Sequence, residues 1–134
     1  MLKRFSISMD DRLLKKFDDF VKKRNYNSRS HAIRDLIRNA IIETEIKEGN
    51  KDIFGTITLV YDHEAKGISG KITHLQHGYL SEIRAAIHVH VDKKNCLETL
   101  IVHGKANIIK EIAERLEGIK GVKHVKFVMT KPEV

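Results

Sequence analysis

Apolar and polar residues alternate along the first short stretch of the chain, from Lys3 to Met9. A period of two over this length predicts a strand with one apolar and one polar face. The polar positions of that strand are Arg4, Ser6 and Ser8.

Two amphipathic helices are predicted to follow, the first over about residues 11–24 and the second from about residue 28. Asp10 or Asp11 can cap the first helix and Asn27 or Ser28 the second, because these side chains accept hydrogen bonds from free N–H groups. The apolar stripes of the two helices are Leu13, Leu14, Phe17, Phe20 and Val21, and then Ile33, Leu36, Ile37, Ala40 and Ile41.

A lone strand has unpaired edges, so the first strand needs a partner. The simplest partner is the same strand of a second copy, which forms a two-stranded antiparallel ribbon across a two-fold axis. Such a ribbon fits the major groove of DNA, where Arg4, Ser6 and Ser8 could contact base edges. The start of the second helix, at Ser28 and Arg29, is suited to holding a phosphate.

Positive charge is concentrated in this first third of the chain. The net charge of the whole chain is +7, and residues 1–42 carry 11 Lys and Arg against five Asp and Glu. A basic surface on a short module is expected of a protein that contacts phosphates, although charge alone equally fits a solvated surface. The segment resembles the ribbon-helix-helix repressors in its polar strand positions, its helix spacing and the Asn27–Ser30 opening of the second helix. We therefore assign residues 1–45 to a DNA-binding domain.

The remainder of the chain predicts a different, mixed domain. After a charged linker over residues 46–52, strands are predicted at 53–61, 83–91, 97–103 and 122–129, and helices at 68–77 and 106–116. This β-α-β-β-α-β order is the ferredoxin-like arrangement, with two helices on one face of an antiparallel sheet. The predicted fold class is therefore α+β, with a ferredoxin-like domain over residues 53–134.

Potential metal ligands cluster on the second strand of this domain. His88 and His90 fall on one face of the strand, and a short turn returns Cys96 to the same end. His77 and His74, in the preceding helix, are the nearby candidates for a fourth ligand. Two imidazoles and a thiolate suit nickel, copper or zinc equally, and the residue types do not separate these ions.

The whole chain resembles the nickel-responsive transcriptional regulators (NikR). The motifs that carry the resemblance are Asn27-Ser28-Arg29-Ser30-His31-Ala32-Ile33-Arg34-Asp35, Gly55-Thr56-Ile57-Thr58, Gln76-His77, His88-Val89-His90, Asn95-Cys96-Leu97-Glu98 and Lys120-Gly121-Val122-Lys123-His124. Together they span nearly all of the sequence.

The resemblance implies a homotetramer, a dimer of dimers, whose centre is built from ACT-type regulatory domains. It implies Ni(II) bound by His88, His90 and Cys96 of one subunit with His77 of another. Gln76 and Glu98 are implied to orient these ligands. Operator binding that represses nickel uptake genes is the implied function.

The sequence departs from the family pattern at three positions. His31 stands where relatives often carry Glu, which puts in doubt a second cation site that would use Asp35. Ser6 and Ser8 replace the more usual Thr, so the operator sequence is expected to differ. We interpret the other histidines mainly as structural or surface residues, with His63 and His74 able to assist a weaker metal site.

Other functions explain less of the sequence. An enzyme is disfavoured because four protein ligands leave no open metal position, and no phosphate-binding loop is present. The set of His88, His90 and Cys96 argues against a small-molecule sensor of the ACT type. An antitoxin-like repressor leaves the C-terminal domain without a role, and a metal-storage protein does not explain Arg4 on a ribbon. One cysteine, no apolar run near 20 residues and no signal-peptide pattern predict a cytoplasmic protein without a membrane anchor.

Overall fold

A computed structural model describes residues 1–132. The chain divides into two compact units, residues 1–40 and the residues from 41 onwards. None of the helices within the described residues combines the length and apolar character needed to cross a membrane.

Two helices form the first unit. Helix α1 spans Asp11–Lys23, and the side chain of Asp10 caps it by accepting a hydrogen bond from the Leu13 N–H at 2.8 Å. Helix α2 spans Arg29–Lys47, and Ser28 caps it because its hydroxyl accepts from the His31 N–H at 3.0 Å. Both helices and both caps agree with the sequence prediction.

Residues 1–10 carry no regular secondary structure, so the predicted strand over residues 3–9 is not formed in a single chain. The physical reason is that a strand requires a hydrogen-bonding partner, and one copy offers none in this unit. The apolar side chains of the segment stay in contact with solvent, with Phe5 72% and Ile7 55% exposed.

Four strands and two helices form the second unit. The strands are β1 (Asp52–Asp62), β2 (Ile83–His90), β3 (Asn95–Lys105) and β4 (Val122–Thr130), and the helices are α3 (Ile68–His77) and α4 (Ala106–Glu117). The sheet is antiparallel with the strand order β2-β3-β1-β4. This is the predicted ferredoxin-like α+β arrangement.

One face of the sheet packs against α3 and α4 to form the core. Buried core residues on the helices are Ile68, Ile72, Leu75, Ala106, Ile109, Ile112, Ala113 and Leu116. Buried sheet residues include Ile57, Leu59, Leu100, Val102 and Val125. Burial of this apolar surface is the main driving force for folding of the unit.

The opposite face of the sheet carries several exposed apolar side chains. Ile87 is 63%, Val89 48% and Val128 66% exposed. Strict alternation along β2 would put Ile83 and Ala85 on the same face, but a register shift between them places the two residues on opposite faces. Ile83 lies opposite buried Val102 and packs against the core, whereas Ala85 lies opposite Ile101.

The division between the units lies inside α2, ahead of the boundary that composition indicated at residue 45. Ile46 is buried in the second core, and Ile42 packs against it. The last turns of α2 therefore belong to the second unit, because their apolar side chains complete its core. Residues 46–52, expected as a linker, include the end of this helix and the first residue of β1.

Candidate metal centre

The hairpin of β2 and β3 brings the predicted ligands together by its register. His90 lies directly opposite Cys96, and His88 lies directly opposite Glu98. Directly opposed residues in an antiparallel pair point to the same face, so all four side chains share one side of the sheet. The Cys96 Sγ lies 3.4 Å from the His90 Nδ1. The rings of His88 and His90 are adjacent, with their centroids 5.1 Å apart.

A buried carboxylate lies beside the histidines. Glu98 is only 6% exposed, and both of its oxygens have partners. Gln76 Nε2 donates to one oxygen, and the Tyr61 hydroxyl donates to the other at 3.4 Å. The His88 Nδ1 lies 3.6 Å from the same carboxylate. Glu98 is therefore placed to orient the His88 ring, as carboxylates near metal-binding histidines commonly do.

Tyr61 joins the thiol and the carboxylate at the base of the cluster. It lies opposite Cys96 on β1, and its hydroxyl is 3.2 Å from the His88 Nδ1. Burial, followed by the charge of Glu98 and the proximity of Cys96, raises the pKa of Tyr61 well above its usual range. The phenol therefore stays protonated and keeps a proton to donate.

His63 joins the cluster. It directly follows β1, and its ring stands perpendicular to that of His90 with the centroids 5.0 Å apart. Within residues 1–132, the group whose donor atoms all lie within 4.8 Å of one another consists of His63, His90 and Cys96. The sequence pattern alone assigns His63 only an auxiliary role. His63 could have been identified from its position directly after β1, because β1 pairs with β3, the strand that carries Cys96.

His77 lies outside that group. It is the last residue of α3 and is exposed, although its neighbour Gln76 contacts Glu98. His74, the other candidate, lines a cavity of about 340 Å³ with Lys71, Leu75, Arg115, Gly118 and Ile119. One chain therefore places His88, His90 and Cys96 on the same face of the sheet but does not bring His77 to them.

The chemistry of the donors fits a transition metal. Imidazole nitrogen and thiolate sulfur are the ligands that nickel, copper and zinc take from proteins. Cys96 is fully buried, which shields a bound thiolate from solvent on the protein side. The residues present therefore fit a metal ion of this class.

In the first unit, the predicted DNA-contacting residues of the strand segment, Arg4, Ser6 and Ser8, are all exposed. Ser28 caps α2 through its hydroxyl, and Arg29 forms a two-point ion pair with Asp18 at 2.8 and 2.9 Å.

The hydrogen bond from Arg29 holds the pKa of Asp18 below its ordinary value. Asp35 accepts a hydrogen bond from Tyr26, whose ring stacks edge-on against His31.

Two protein families match the chain. Residues 3–44 match the ribbon-helix-helix proteins of the CopG family, and residues 54–130 match the NikR C-terminal nickel-binding domain. The two matches follow the predicted order of the two domains along the chain.

Curated relatives match along nearly the whole chain. A protein of Geobacter sp. (strain M21) described as a nickel-responsive regulator is 52% identical over 127 residues, which is 95% of this chain and 91% of that protein. A protein of Pyrococcus abyssi with the same description is 52% identical over 129 residues, 96% of this chain and 94% of that protein.

Solved structures support the fold of the second unit. The ACT domain of GTP pyrophosphokinase from Chlorobium tepidum superposes with a TM-score of 0.51 at 19% identity, covering 58% of this chain and all of that domain. An uncharacterized protein from Thermotoga maritima gives a TM-score of 0.54 at 22% identity, covering 60% of this chain and all of that protein. The predicted ACT-type fold is thereby confirmed.

The matched domains, their order and the identity along 95% of the chain lead to one conclusion. The protein belongs to the nickel-responsive transcriptional regulators, which are not enzymes, and it combines a ribbon-helix-helix DNA-binding domain with an ACT-type domain.

Proposed function

We propose that this protein acts in the cytoplasm, where it binds Ni(II) at an interface between its subunits. The nickel-bound protein then binds operator DNA and represses the genes for nickel uptake. The observation that carries the proposal is the register of β2 against β3, which faces His90 with Cys96 and His88 with Glu98. Three potential ligands on one chain leave a four-ligand shell one donor short. In the proposal, His77 of a second subunit completes it.

The position of His77 supports a shared site. The residue is exposed at the end of α3, free of the cluster in its own chain, and therefore accessible to another copy. Its neighbour Gln76 donates to Glu98, which in turn lies beside His88. Gln76 and Glu98 would hold the imidazole of His88 in one orientation, which strengthens a metal–ligand bond.

The outer face of the sheet supports self-association. Four apolar side chains on the sheet face opposite α3 and α4 are each at least 40% exposed: Ile87, Val89, Ile101 and Val128. Several exposed apolar side chains on one face of a folded domain are typical of an interaction site. A second copy presents the same surface, so the proposed assembly is a homotetramer built as a dimer of dimers.

The first unit supports DNA binding by a paired strand. Phe5 and Ile7 are exposed in one chain, and together with Leu2, Ile33 and Ile37 they line a groove of about 610 Å³. Pairing of two copies would bury these apolar side chains and leave the polar face outward. On that face, Arg4, Ser6 and Ser8 would contact the bases of double-stranded operator DNA, and Ser28 and Arg29 would contact phosphate.

A shared site explains how metal controls DNA binding. Full coordination is reached only when both subunits are correctly placed, so loading favours one arrangement of the subunits. If that arrangement is also the one that binds the operator, nickel increases the affinity for DNA. Thermodynamic linkage then requires that DNA increases the affinity for nickel by the same factor. Nickel affinity measured with and without operator DNA therefore tests the coupling, and equal affinities would rule it out.

The first experiment is an absorption titration of the metal-free protein with Ni(II). We expect one equivalent per subunit, a thiolate-to-nickel charge-transfer band and a visible band typical of planar Ni(II). His77→Ala and Cys96→Ala should each abolish the planar band. His124→Ala, on an exposed residue of β4, is the matched control and should leave the spectrum unchanged.

The second experiment tests the DNA half of the proposal. Selection from a random duplex library, with and without Ni(II), should recover a two-fold-symmetric operator only when nickel is present. Arg4→Ala should then weaken binding to that operator and relax its sequence preference. Nickel binding without any duplex binding would instead indicate metal storage, and binding indifferent to nickel would indicate a repressor without metal response.

A further inference from the structure

We propose that His63, His90 and Cys96 of a single chain form a second metal site, which takes a tetrahedral ion such as Zn(II) and competes with the shared nickel site. The proposal extends the function proposed above and depends on it only for the competition. The site itself uses residues of one chain. Its basis is that these three donor atoms already lie within 4.8 Å of one another.

One of the three distances between donor atoms already matches what a tetrahedral ion requires. Zn–N bonds of about 2.0–2.1 Å and a Zn–S bond of about 2.3 Å place neighbouring donors roughly 3.3–3.6 Å apart. The Cys96 Sγ and the His90 Nδ1 are already 3.4 Å apart. His63 closes the remaining gap by a small movement of an exposed ring, and water can take the fourth position.

The backbone holds the three residues in place. The His63 N–H donates to the carbonyl of Lys94, in the turn between β2 and β3. The Asp92 carboxylate accepts from the N–H groups of Lys94 and Asn95, which makes that turn compact. Cys96 follows directly and is fully buried. The ligand that follows β1 is therefore tied to the hairpin that carries the other two.

His88 has different partners from His63. Its Nδ1 faces the Tyr61 hydroxyl at 3.2 Å and the Glu98 carboxylate at 3.6 Å. His88 lies outside the group formed by the other three residues, as does His77. In one chain, the ligand nearest to His90 and Cys96 is thus His63. A three-ligand set with an open fourth position suits zinc better than planar nickel.

The two sites exclude each other on the same subunit because His90 and Cys96 belong to both. An ion held by His63 makes no use of His77 and therefore links no subunits. Zinc in this site would occupy the sensor without completing the arrangement that binds operator. The single-chain site thus prevents zinc, which binds the same residue types tightly, from triggering operator binding.

The test uses Co(II) as a spectroscopic substitute for zinc, together with Zn(II) competition against a chromophoric chelator. In the full-length protein we expect intense tetrahedral Co(II) bands with a thiolate charge-transfer band. His63→Ala should weaken Zn(II) binding by at least about tenfold, because loss of a group that only orients a ligand already costs that much. The Ni(II) spectrum of the same variant should be unchanged, and circular dichroism should confirm that the variant is folded.

The reciprocal variant is His77→Ala, and His124→Ala is the control. His77→Ala should keep the wild-type Co(II) spectrum and Zn(II) affinity while losing planar nickel. Added Zn(II) should displace Ni(II) from the wild-type protein and abolish nickel-dependent duplex binding.

A Co(II) spectrum unaffected by His63→Ala, or one that depends on His77, would overturn the inference. If the wild-type protein lacks the absorption band of planar Ni(II), only the proposed nickel site between subunits is contradicted. The Co(II) spectrum of His63→Ala would still test the single-chain site.

Discussion

His90 and Cys96 face each other across the β2–β3 hairpin, and the thiol sulfur lies 3.4 Å from the imidazole Nδ1. This pair belongs to both proposed metal sites. The thiol is completely buried, whereas the imidazole is exposed. Replacing the thiol should therefore affect both the core and metal binding, whereas replacing the imidazole should affect mainly the metal.

Cys96→Ala should separate these two effects. We expect the free energy of unfolding of the metal-free protein to fall by about 1–2 kcal/mol, because a buried sulfur is lost from the core. Ni(II) at 100 times its dissociation constant should stabilise the wild type by about 2.7 kcal/mol and the variant hardly at all. Urea unfolding with Ni(II) or with a chelator measures both quantities. Equal stabilisation of the two proteins by Ni(II) would contradict the role of Cys96 as a ligand.

Glu98→Gln tests the buried carboxylate. The change keeps the size of the side chain. In the wild type, Gln76 and Tyr61 each donate a hydrogen bond to Glu98, so the amide N–H₂ group of the variant places a donor opposite one of these donors. We expect nickel affinity to fall by about 10–100-fold, as for other groups that orient a metal-binding histidine. Isothermal titration measures the change, with Glu117→Gln, at an exposed position of α4, as the control. A wild-type affinity in Glu98→Gln would refute an orienting role.

Two glycines should respond in opposite ways to alanine. A Cβ at Gly55 would lie 2.3 Å from the carbonyl oxygen of Val128 on the neighbouring strand, so backbone must move. We expect Gly55→Ala to lower the free energy of unfolding by about 2–3 kcal/mol. A Cβ at Gly70, in α3, meets nothing, so Gly70→Ala should raise it by about 0.5–1 kcal/mol. Chemical denaturation of both variants would show whether the signs differ.

Asp92 should make the hairpin turn sensitive to acid. Hydrogen bonds from the Asn95 side chain, and then from the N–H groups of Asn95 and Lys94, hold the pKa of Asp92 below its ordinary value of 3.8. A carboxyl with a lowered folded pKa contributes stability above the unfolded pKa and loses it as the pH falls through the folded value. We expect the turn to loosen only below about pH 3.8.

NMR titration of the Asp92 carboxyl carbon and of the Asn95 amide measures this transition. Asp92→Ala should remove it and should also loosen the turn at neutral pH. The control is Asp11→Ala, whose carboxyl lies in the other unit. A titration midpoint of the Asp92 carboxyl at or above pH 3.8 would contradict its hydrogen bonds with Asn95 and Lys94.

Much of the fold follows from local sequence pattern. Apolar spacing predicted all four helices, and Asp10 and Ser28 cap the first two as expected from their chemistry. The β-α-β-β-α-β order was likewise predicted. These features are local, because a helix period or a strand alternation depends on neighbouring residues alone.

Pairing partners were harder to predict. The stretch over residues 3–9 has the pattern of a strand, yet a strand forms only with a partner, and one chain does not supply it. Ile42 and Ile46 continue the apolar stripe of α2, but only packing shows that they belong to the second core.

The sequence by itself determined the fold class, and it placed His88 and His90 on one face of a strand with Cys96 across the turn, because these features depend on short-range spacing. Only the tertiary structure decided that His63 joins His90 and Cys96 and that Ile83 turns to the core. The reason is register: which residues become neighbours across strands depends on hydrogen bonds between distant segments, and one bulge moves a side chain to the other face.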